Sequence, residues 1–473
     1  MSDFIRVRFA PAPTGTMHLG NVRTALINFL FARQHQGTFI IRLEDTDMAR
    51  LHDPNGTQLF EHLAWLGLQH NEGPDNPGLY GPYKQSERSE IYRAELDKLI
   101  AARKVYRCFC TPEQLEQVRA RQIALKQPPR YEKSCLQISP EQIEKNIQSN
   151  IPYIWRLSID PTQTITFTDL AKGTMQFDLK NFSDISLTRS DHSVTFLFAN
   201  CVDDALMKIS HVIRGEDHLT NTVGQVALYQ ALGFSVPLFW HLPIITGLNG
   251  KKLSKRDFGF SLEDLRTAGF LPEAICNYLG ILGRTTAHEI QSLTELTQSF
   301  DFTHLHATST IKYDLEKLRW INHQWILKLD PAELARRCEP FMHRAYPQHI
   351  LSRKTLERAC THLKNSLITL ADCKELFKPL CVIPAPPDSV RETAAYTLIT
   401  KLTEEQPAIL ETPTEFLKTL KQKAAALSIP PSEIYHTLRL LLSGTEQGMG
   451  ISDLILLLGG SECIRRITES HYT

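Results

Sequence analysis

The sequence predicts an α/β protein: a parallel-sheet core carrying an α+β insertion, followed by an all-helical region. Three observations predict it. Ile5, Val7 and Phe9 alternate with Arg6 and Arg8, and after a glycine-bracketed turn Val22, Ala25, Leu26, Phe29 and Leu30 repeat at helical spacing. Phe39-Ile-Ile-Arg-Leu43 then reads as the second strand of a parallel sheet. From Ser261 the pattern turns helical, and beyond about Asp330 almost wholly so.

The first strand–turn–helix, Ile5 to Gln36, organises the rest. Pro11 and Pro13 cannot donate ladder hydrogen bonds, so the strand stops there. Gly15 and Gly20 bracket Thr16-Met17-His18-Leu19. A helix start offers free N–H groups and the positive end of the macrodipole, a place for phosphate. His18, just ahead of the helix, can donate to a phosphate oxygen; the alternative is a buried β–α turn whose histidine packs or caps. Far downstream, Gly250-Lys-Lys-Leu-Ser-Lys-Arg256 forms a second, cationic element. Two such elements suggest one nucleotide held from both sides.

At 473 residues the chain exceeds what one core usually supports, so several domains are expected. The apolar fraction of 42% is ordinary for a globular protein. The sequence shows no apolar run long enough to span a membrane and starts without a signal-peptide pattern. Ten cysteines in so long a chain argue against a disulfide framework, and Cys201 and Cys276 sit among apolar neighbours as small buried hydrophobes. A formal charge of zero neither supports nor excludes a local basic surface.

Pro11-Ala-Pro-Thr-Gly-Thr-Met-His-Leu-Gly-Asn21 resembles the HIGH signature of class I aminoacyl-tRNA synthetases, and Lys252-Leu-Ser-Lys-Arg256 resembles their KMSKS signature. Arg42-Leu-Glu-Asp-Thr-Asp47, Gly81-Pro-Tyr-Lys-Gln-Ser-Glu-Arg88 and Val212-Ile-Arg-Gly-Glu-Asp-His218 look like the glutamyl-tRNA synthetase branch. Five motifs in order are specific where one would not be. The resemblance implies a Rossmann-type catalytic core at 1–90 and 195–248, with an inserted acceptor-end-binding domain at 91–194. A stem-contact domain carrying the cationic loop follows at 249–330, then a helical anticodon-binding region at 331–473 with a break near 384.

Taken in order, the second strand ends in Glu44-Asp45-Thr46-Asp47, where open α/β sheets bind ligands. These carboxylates suit an amino group, a ribose or Mg²⁺, or else cap the next helix. The resemblance puts Glu44 on the α-amino group of an amino acid. Leu59–Leu68 and Ser89–Ala102 read as helices, with a Gly/Pro-rich loop at 71–83 between them.

Cys108 and Cys110, with Cys135 downstream, form a thiolate set suited to zinc. Zinc-bearing members of the family continue C-x-C with Y-x-x-x-C or C-x-H. Cys135 is followed by Leu136 and Gln137, so the histidine is missing and Tyr131 is the remaining candidate ligand. Three reduced cysteines without metal is the alternative. Tyr153–Leu157, Thr164–Phe167 and Met175–Leu179 read as strands of one small sheet.

Ile209–Ile213 reads as a core strand with Arg214 at its end. Arg8 and Arg214 at strand ends of one sheet would select an acidic side chain by bidentate pairing, unless each pairs internally with Glu44, Asp45 or Glu216. The implied glutamate site comprises Arg8, Ala10, Ala12, Glu44, Phe196, Asn200 and Arg214. Ala12 and Phe196 depart from the family's usual Ser and Tyr, and each removes one hydroxyl. The implied ATP site comprises Thr14, Gly15, His18, Gly20, Asn21, Lys252, Ser254 and Lys255, with His18 and Lys255 catalytic. Pro272–Leu282 and Tyr313–Asn322 resemble the contact with the inner corner of tRNA, and Lys418, Lys421, Lys423, Arg439, Arg465 and Arg466 are candidates for its backbone.

The expected activity is therefore ATP- and Mg²⁺-dependent activation of L-glutamate and its transfer to the 3′ end of tRNA(Glu). Structural Zn²⁺ is a further expectation. Charging of tRNA(Gln) is the alternative, and a noncatalytic tRNA-binding paralogue is a lesser one. A cytoplasmic monomer without membrane contact is expected.

Overall fold

The computed structural model describes residues 4–13, 15–46, 53, 55–251, 253, 258–302, 308–382, 387–446 and 449–468. The chain divides into two compact units, Met1–Asp264 with Cys276–Leu315, and Leu265–Ile275 with Glu316–Thr473.

In the first unit β1 (Arg6–Phe9) leads through the turn into α1 (Leu19–Gln34) and back to β2 (Thr38–Ile41). The strands pair in parallel, with Arg8 opposite Ile40. All four β1 residues are buried. The Arg/apolar alternation is thus not a wet face against a dry one: Val7 and Phe9 enter the core, while Arg6 and Arg8 form a layer of paired charges. Arg6 fixes itself on Glu72 and on the Met207 carbonyl, 2.7 Å from its Nε. α1 is buried through most of its length, as a helix packed under a parallel sheet must be.

α2 (Thr57–Trp65) and α3 (Ser89–Ala101) follow. α2 begins two residues earlier than predicted because the Asp53 carboxylate accepts from the N–H groups of Thr57 and Gln58, both at 3.0 Å. It ends early where Gly67 turns left-handed.

The next segment contains β3 (Val105–Cys108), α4 (Pro112–Ala124), α5 (Pro140–Gln148), β4 (Ile154–Leu157), β5 (Thr164–Asp169), β6 (Gly173–Asp178) and β7 (Ile185–Ser186). The single small sheet predicted here is in fact two. β4 pairs antiparallel with β3 and β7, whereas the β5–β6 hairpin joins the core through β9 (Leu238–Leu242), where Asp169 pairs with Phe239. Local alternation carries no information on which neighbour a strand chooses.

α6 (Phe196–Leu206), β8 (His211–Gly215) and α7 (Leu219–Leu232) complete the core. β8 starts two residues later than predicted. Lys208 takes a left-handed φ of 59°, and the Ile209 N–H closes the end of α6 on the Asp204 carbonyl at 2.8 Å. β8 lies parallel to β9 and is tied to β1 by the Ser210 N–H on the Arg6 carbonyl, 2.9 Å. β10 (Ile244–Thr246) pairs in parallel with β11 (Thr310–Lys312).

The second unit is helical. Its helices include Pro331–Ala345, Arg353–Leu363, Ala394–Glu405, Pro413–Ala426, Pro431–Ser443, Ile451–Leu458 and Gly460–Thr468. The break predicted at Ile429–Pro431 separates two of these; Pro384 to Pro386 of the other predicted break lie outside the described residues. Asn322 clamps two chain segments there, accepting from the Leu271 N–H at 2.8 Å and donating to the Ile368 carbonyl at 2.6 Å. Among the described residues no helix is long and apolar enough to cross a membrane.

Candidate functional site

A cavity of about 720 Å³ opens at the carboxyl ends of β1, β2 and β8. It brings together Arg8, Ala10, Ala12, His18, Gly20, Asn21, Glu44, Phe196, Asn200 and Arg214, drawn from segments more than two hundred residues apart. Gly15 is exposed and does not line it. Thr14, Asp47, Lys252, Ser254, Lys255 and Arg256 lie outside the described residues.

His18 caps α1. Its Nδ1 accepts from the Asn21 N–H at 3.3 Å, and the Asn21 side chain accepts from the His18 N–H at 3.4 Å. Because Nδ1 is the acceptor, the ring proton of neutral His18 sits on Nε2. Capping and donation to phosphate are therefore compatible roles for the two nitrogens, where the sequence offers them as alternatives.

The cationic loop is anchored beside His18 where it returns to the fold. The loop leaves β10 through a turn in which Gly247 donates to the Lys251 carbonyl at 2.8 Å. It returns at Phe260, whose carbonyl accepts from the Leu19 N–H at 3.0 Å and whose ring lies 5.2 Å from that of His18. Leu262 then donates to the Met17 carbonyl at 2.9 Å, and Leu253 lines the cavity.

The two arginines differ. Arg8 pairs internally, through Nε on Asp204 at 3.1 Å and Nη1 on the Ile213 carbonyl at 3.3 Å. Arg214 is buried yet meets no carboxylate: Nη2 donates to Thr222 Oγ1 at 2.6 Å and to Gln225 Oε1 at 2.5 Å, while Nε and Nη1 have no partner among the described residues. Burial, with Arg8 nearby, lowers its pKa to about 10. Neither guanidinium retains all its donors, so an acidic ligand meets part of each rather than one intact fork.

Glu44 is held by Arg42 Nη2 at 3.0 Å and Asn200 Nδ2 at 2.5 Å, and burial pushes its carboxyl up despite both. The neighbouring acid behaves differently. Asp45 ties the end of β2 to a distant segment, accepting from the Ser86 N–H at 2.8 Å and its hydroxyl at 2.6 Å. Arg42 sits among Asp204, Asp203 and Glu44, which together hold its pKa up against full burial.

Sequence reading misses the layer behind these residues. Gln225 Nε2 donates to Asn200 Oδ1 at 2.7 Å, Thr222 Oγ1 lies 2.7 Å from His241 Nε2, and His241 Nδ1 lies 2.7 Å from Asp169 Oδ2. The only available signal was spacing: Thr222 and Gln225 stand three apart on one helix, and Arg42 and Glu44 two apart at the end of a strand. Nothing local points to Asp169 or His241.

Away from the cavity, the Sγ atoms of Cys108, Cys110 and Cys135 all lie within 4.8 Å of one another. Tyr131 Oη stands 3.3 Å from Cys108 Sγ and 3.9 Å from Cys110 Sγ. Hydrogen bonding from Cys135 holds the Cys108 thiol down, to about 4, while the same contact pushes Cys135 up. Three sulfurs and one oxygen at this spacing fit a tetrahedral zinc set, with Tyr131 in the fourth place. All ten cysteines are unbridged.

Comparison with known proteins places residues 4–320 in the family described as tRNA synthetases class I (E and Q), catalytic domain, and residues 333–470 in the anticodon binding domain family. The chain is 38% identical to the glutamate–tRNA ligase of Sulfurihydrogenibium sp. (strain YO3AOP1), covering 96% of each chain. It is 37% identical to that of Aquifex aeolicus (strain VF5), covering 98% of each. Among solved structures, a glutamate tRNA ligase from Elizabethkingia meningosepticum CCUG26117 in complex with its amino acid superposes with a TM-score of 0.87 at 30% identity, over 98% of this chain and 99% of that one.

Proposed function

The chain belongs to the class I tRNA synthetases for glutamate and glutamine and acts as a glutamate–tRNA ligase, and from that premise we propose how its residues divide the work. The side-chain carboxylate of L-glutamate lies against Arg214 and Arg8, and Glu44 receives its α-ammonium. The α-carboxylate attacks the α-phosphorus of ATP in line, forming glutamyl-adenylate and releasing pyrophosphate. Positioning and charge stabilisation suffice, with no covalent enzyme intermediate. His18 Nε2 donates to a reacting phosphoryl oxygen at the α1 N-terminus. Lys255 neutralises the departing pyrophosphate, a charge that Mg²⁺ bound with ATP would share. The terminal 2′-hydroxyl of tRNA then attacks the carbonyl carbon of the adenylate, forming the ester and releasing AMP.

The observation that carries this reading is Arg214. A buried cation with unused donors and no carboxylate partner is expensive unless a ligand supplies the missing charge. Asn200 and Glu44 stand next to it through Gln225, so the acidic and amino ends of one small molecule are addressed together. Ala12 and Phe196 line the same space without hydroxyls. Each missing bond would weaken glutamate binding by about 1.5–3 kcal/mol unless water replaces it.

The domain division read from the sequence suits this activity: a catalytic core at 1–90 and 195–248, an acceptor-end insertion at 91–194, a stem-contact segment at 249–330 and an anticodon region at 331–473. Cys108, Cys110, Cys135 and Tyr131 would hold a structural Zn²⁺ within the insertion, remote from the chemistry. A monomer in the cytoplasm fits the activity, and analytical ultracentrifugation checks the first half.

The test is charging of purified tRNA(Glu) and tRNA(Gln) transcripts with glutamate, glutamine and aspartate, each in the presence of Mg²⁺ and ATP. Charging with glutamate alone supports the reading. Product on the tRNA(Gln) transcript adds that substrate, and no product with any transcript refutes a catalytic role.

A further inference from the structure

Arg23 is a third buried cation lining the cavity, and nothing among the described residues answers its charge. It follows His18 by five residues on α1, about 7.5 Å along the axis. Only 6% of its surface is exposed, and what it reaches is the cavity it lines. Its Nε has no partner, and no ion pair or hydrogen bond to Arg23 exists among the described residues. Burial lowers its pKa to about 10, and the neighbouring charge that adds to this is another cation, Arg284. Arg284 is itself occupied by an aromatic face, its guanidinium 3.6 Å above the Phe300 ring, and is partly answered by the charge of Asp301.

A buried, unpaired guanidinium destabilises a fold. Its retention where an anion would arrive is what a ligand site requires. Glutamate is already served by Arg8 and Arg214. Arg23 instead shares its helix with His18 and its cavity with Leu253 of the cationic loop and with Ile244 and Ile245.

We propose that Arg23 contacts the polyphosphate of ATP, as a third arginine of the site on the nucleotide side. The proposal rests on the ligase reading above and deepens it. A partly desolvated cation beside a helix N-terminus strengthens attraction for a triphosphate, and Arg284 adds to the same field without direct contact. The arrangement sets binding of ATP against stability of the empty protein.

The test uses the full chain with Arg23→Met, Arg23→Gln and Arg23→Lys, measured for aminoacylation of tRNA(Glu) and for thermal melting with and without Mg-ATP. Arg23→Met is expected to raise KM for ATP by about 10–100-fold, as loss of a charged contact does, with KM for glutamate changed by less than about twofold. Its ligand-free melting temperature should equal or exceed that of the wild type, and the upward shift on adding Mg-ATP should shrink. Arg23→Lys should fall between. Should the Met variant fail to fold, Arg23→Gln is judged by the same criteria. An unchanged KM for ATP overturns the proposal. So does a lowered ligand-free melting temperature with both KM values raised together, which is what a packing role predicts. If the wild type binds Mg-ATP but charges no tRNA, the ligase reading fails, and the Mg-ATP melting shift alone decides on Arg23.

Discussion

Arg214 and His241 are register partners on neighbouring strands, and Thr222 joins them from α7: its hydroxyl oxygen lies 2.6 Å from Arg214 Nη2 and 2.7 Å from His241 Nε2. Asp169 fixes the far nitrogen of the imidazole at 2.7 Å. The orientation of Arg214 is thus set three residues deep.

Thr222→Val keeps the shape and removes the oxygen. KM for glutamate should rise by about tenfold, the usual effect of a lost charged hydrogen bond, while KM for ATP stays within about twofold. Thr222→Ser restores the oxygen and should recover most of the loss in the same assay.

Arg8 and Arg214 should separate in a pair of leucine variants. Arg214→Leu should raise KM for glutamate more than about 100-fold and leave the ligand-free protein at least as stable, since it removes an unpaired buried charge. Arg8→Leu leaves Asp204 buried with Arg42 alone and should lower stability by about 3–5 kcal/mol in urea titration.

His18→Asn tests the split between cap and catalyst. Asparagine is a good N-cap, so the melting temperature should stay close to that of the wild type. Charging should nonetheless slow by about 100-fold or more, the scale of one lost oriented donor. A large drop in melting temperature would show that the imidazole is chiefly structural.

Acid should weaken the fold through histidines that it buries wholly or in part. Burial lowers His211 and His218 to about 4, and His241 is lowered too. Each is lower folded than unfolded, so the unfolded chain binds more protons between about pH 6.5 and 4. Stability is therefore full above about pH 6.5 and falls as pH drops through that window. His211→Gln should reduce the proton uptake on unfolding at pH 5 by about one, read from the pH dependence of denaturant midpoints.

Metal analysis of the purified chain should return about one zinc per molecule, lost in Cys108→Ser and retained with weaker affinity in Tyr131→Phe. Chelation should lower the melting temperature. An absence of zinc in the wild type, purified without chelator, would leave three reduced thiols and a tyrosine.

What could be read in advance follows from range. His18, Glu44 and Arg214 stand in strand–turn contexts whose chemistry is visible within ten residues. The partners that decide how those side chains behave are distant: Asp204 for Arg8, Thr222 and His241 for Arg214, Asn200 for Glu44. Arg23 carries no such signal, because a single arginine among apolar helix residues has no periodic signature. Likewise the β5–β6 hairpin looks self-contained by alternation, and only the fold shows that it pairs with β9.

That last pairing bears on attempts to trim the protein. Phe239 gives its carbonyl to Leu170 at 2.8 Å, so β5 shields one flank of β9. Excising residues 91–194 as a detachable module would bare that flank as a naked strand edge, an invitation to intermolecular pairing and precipitation. It would also strip His241 of its carboxylate. A minimal catalytic fragment must keep the hairpin at 164–178 and the turn around Asp169, whatever else of the excursion it discards.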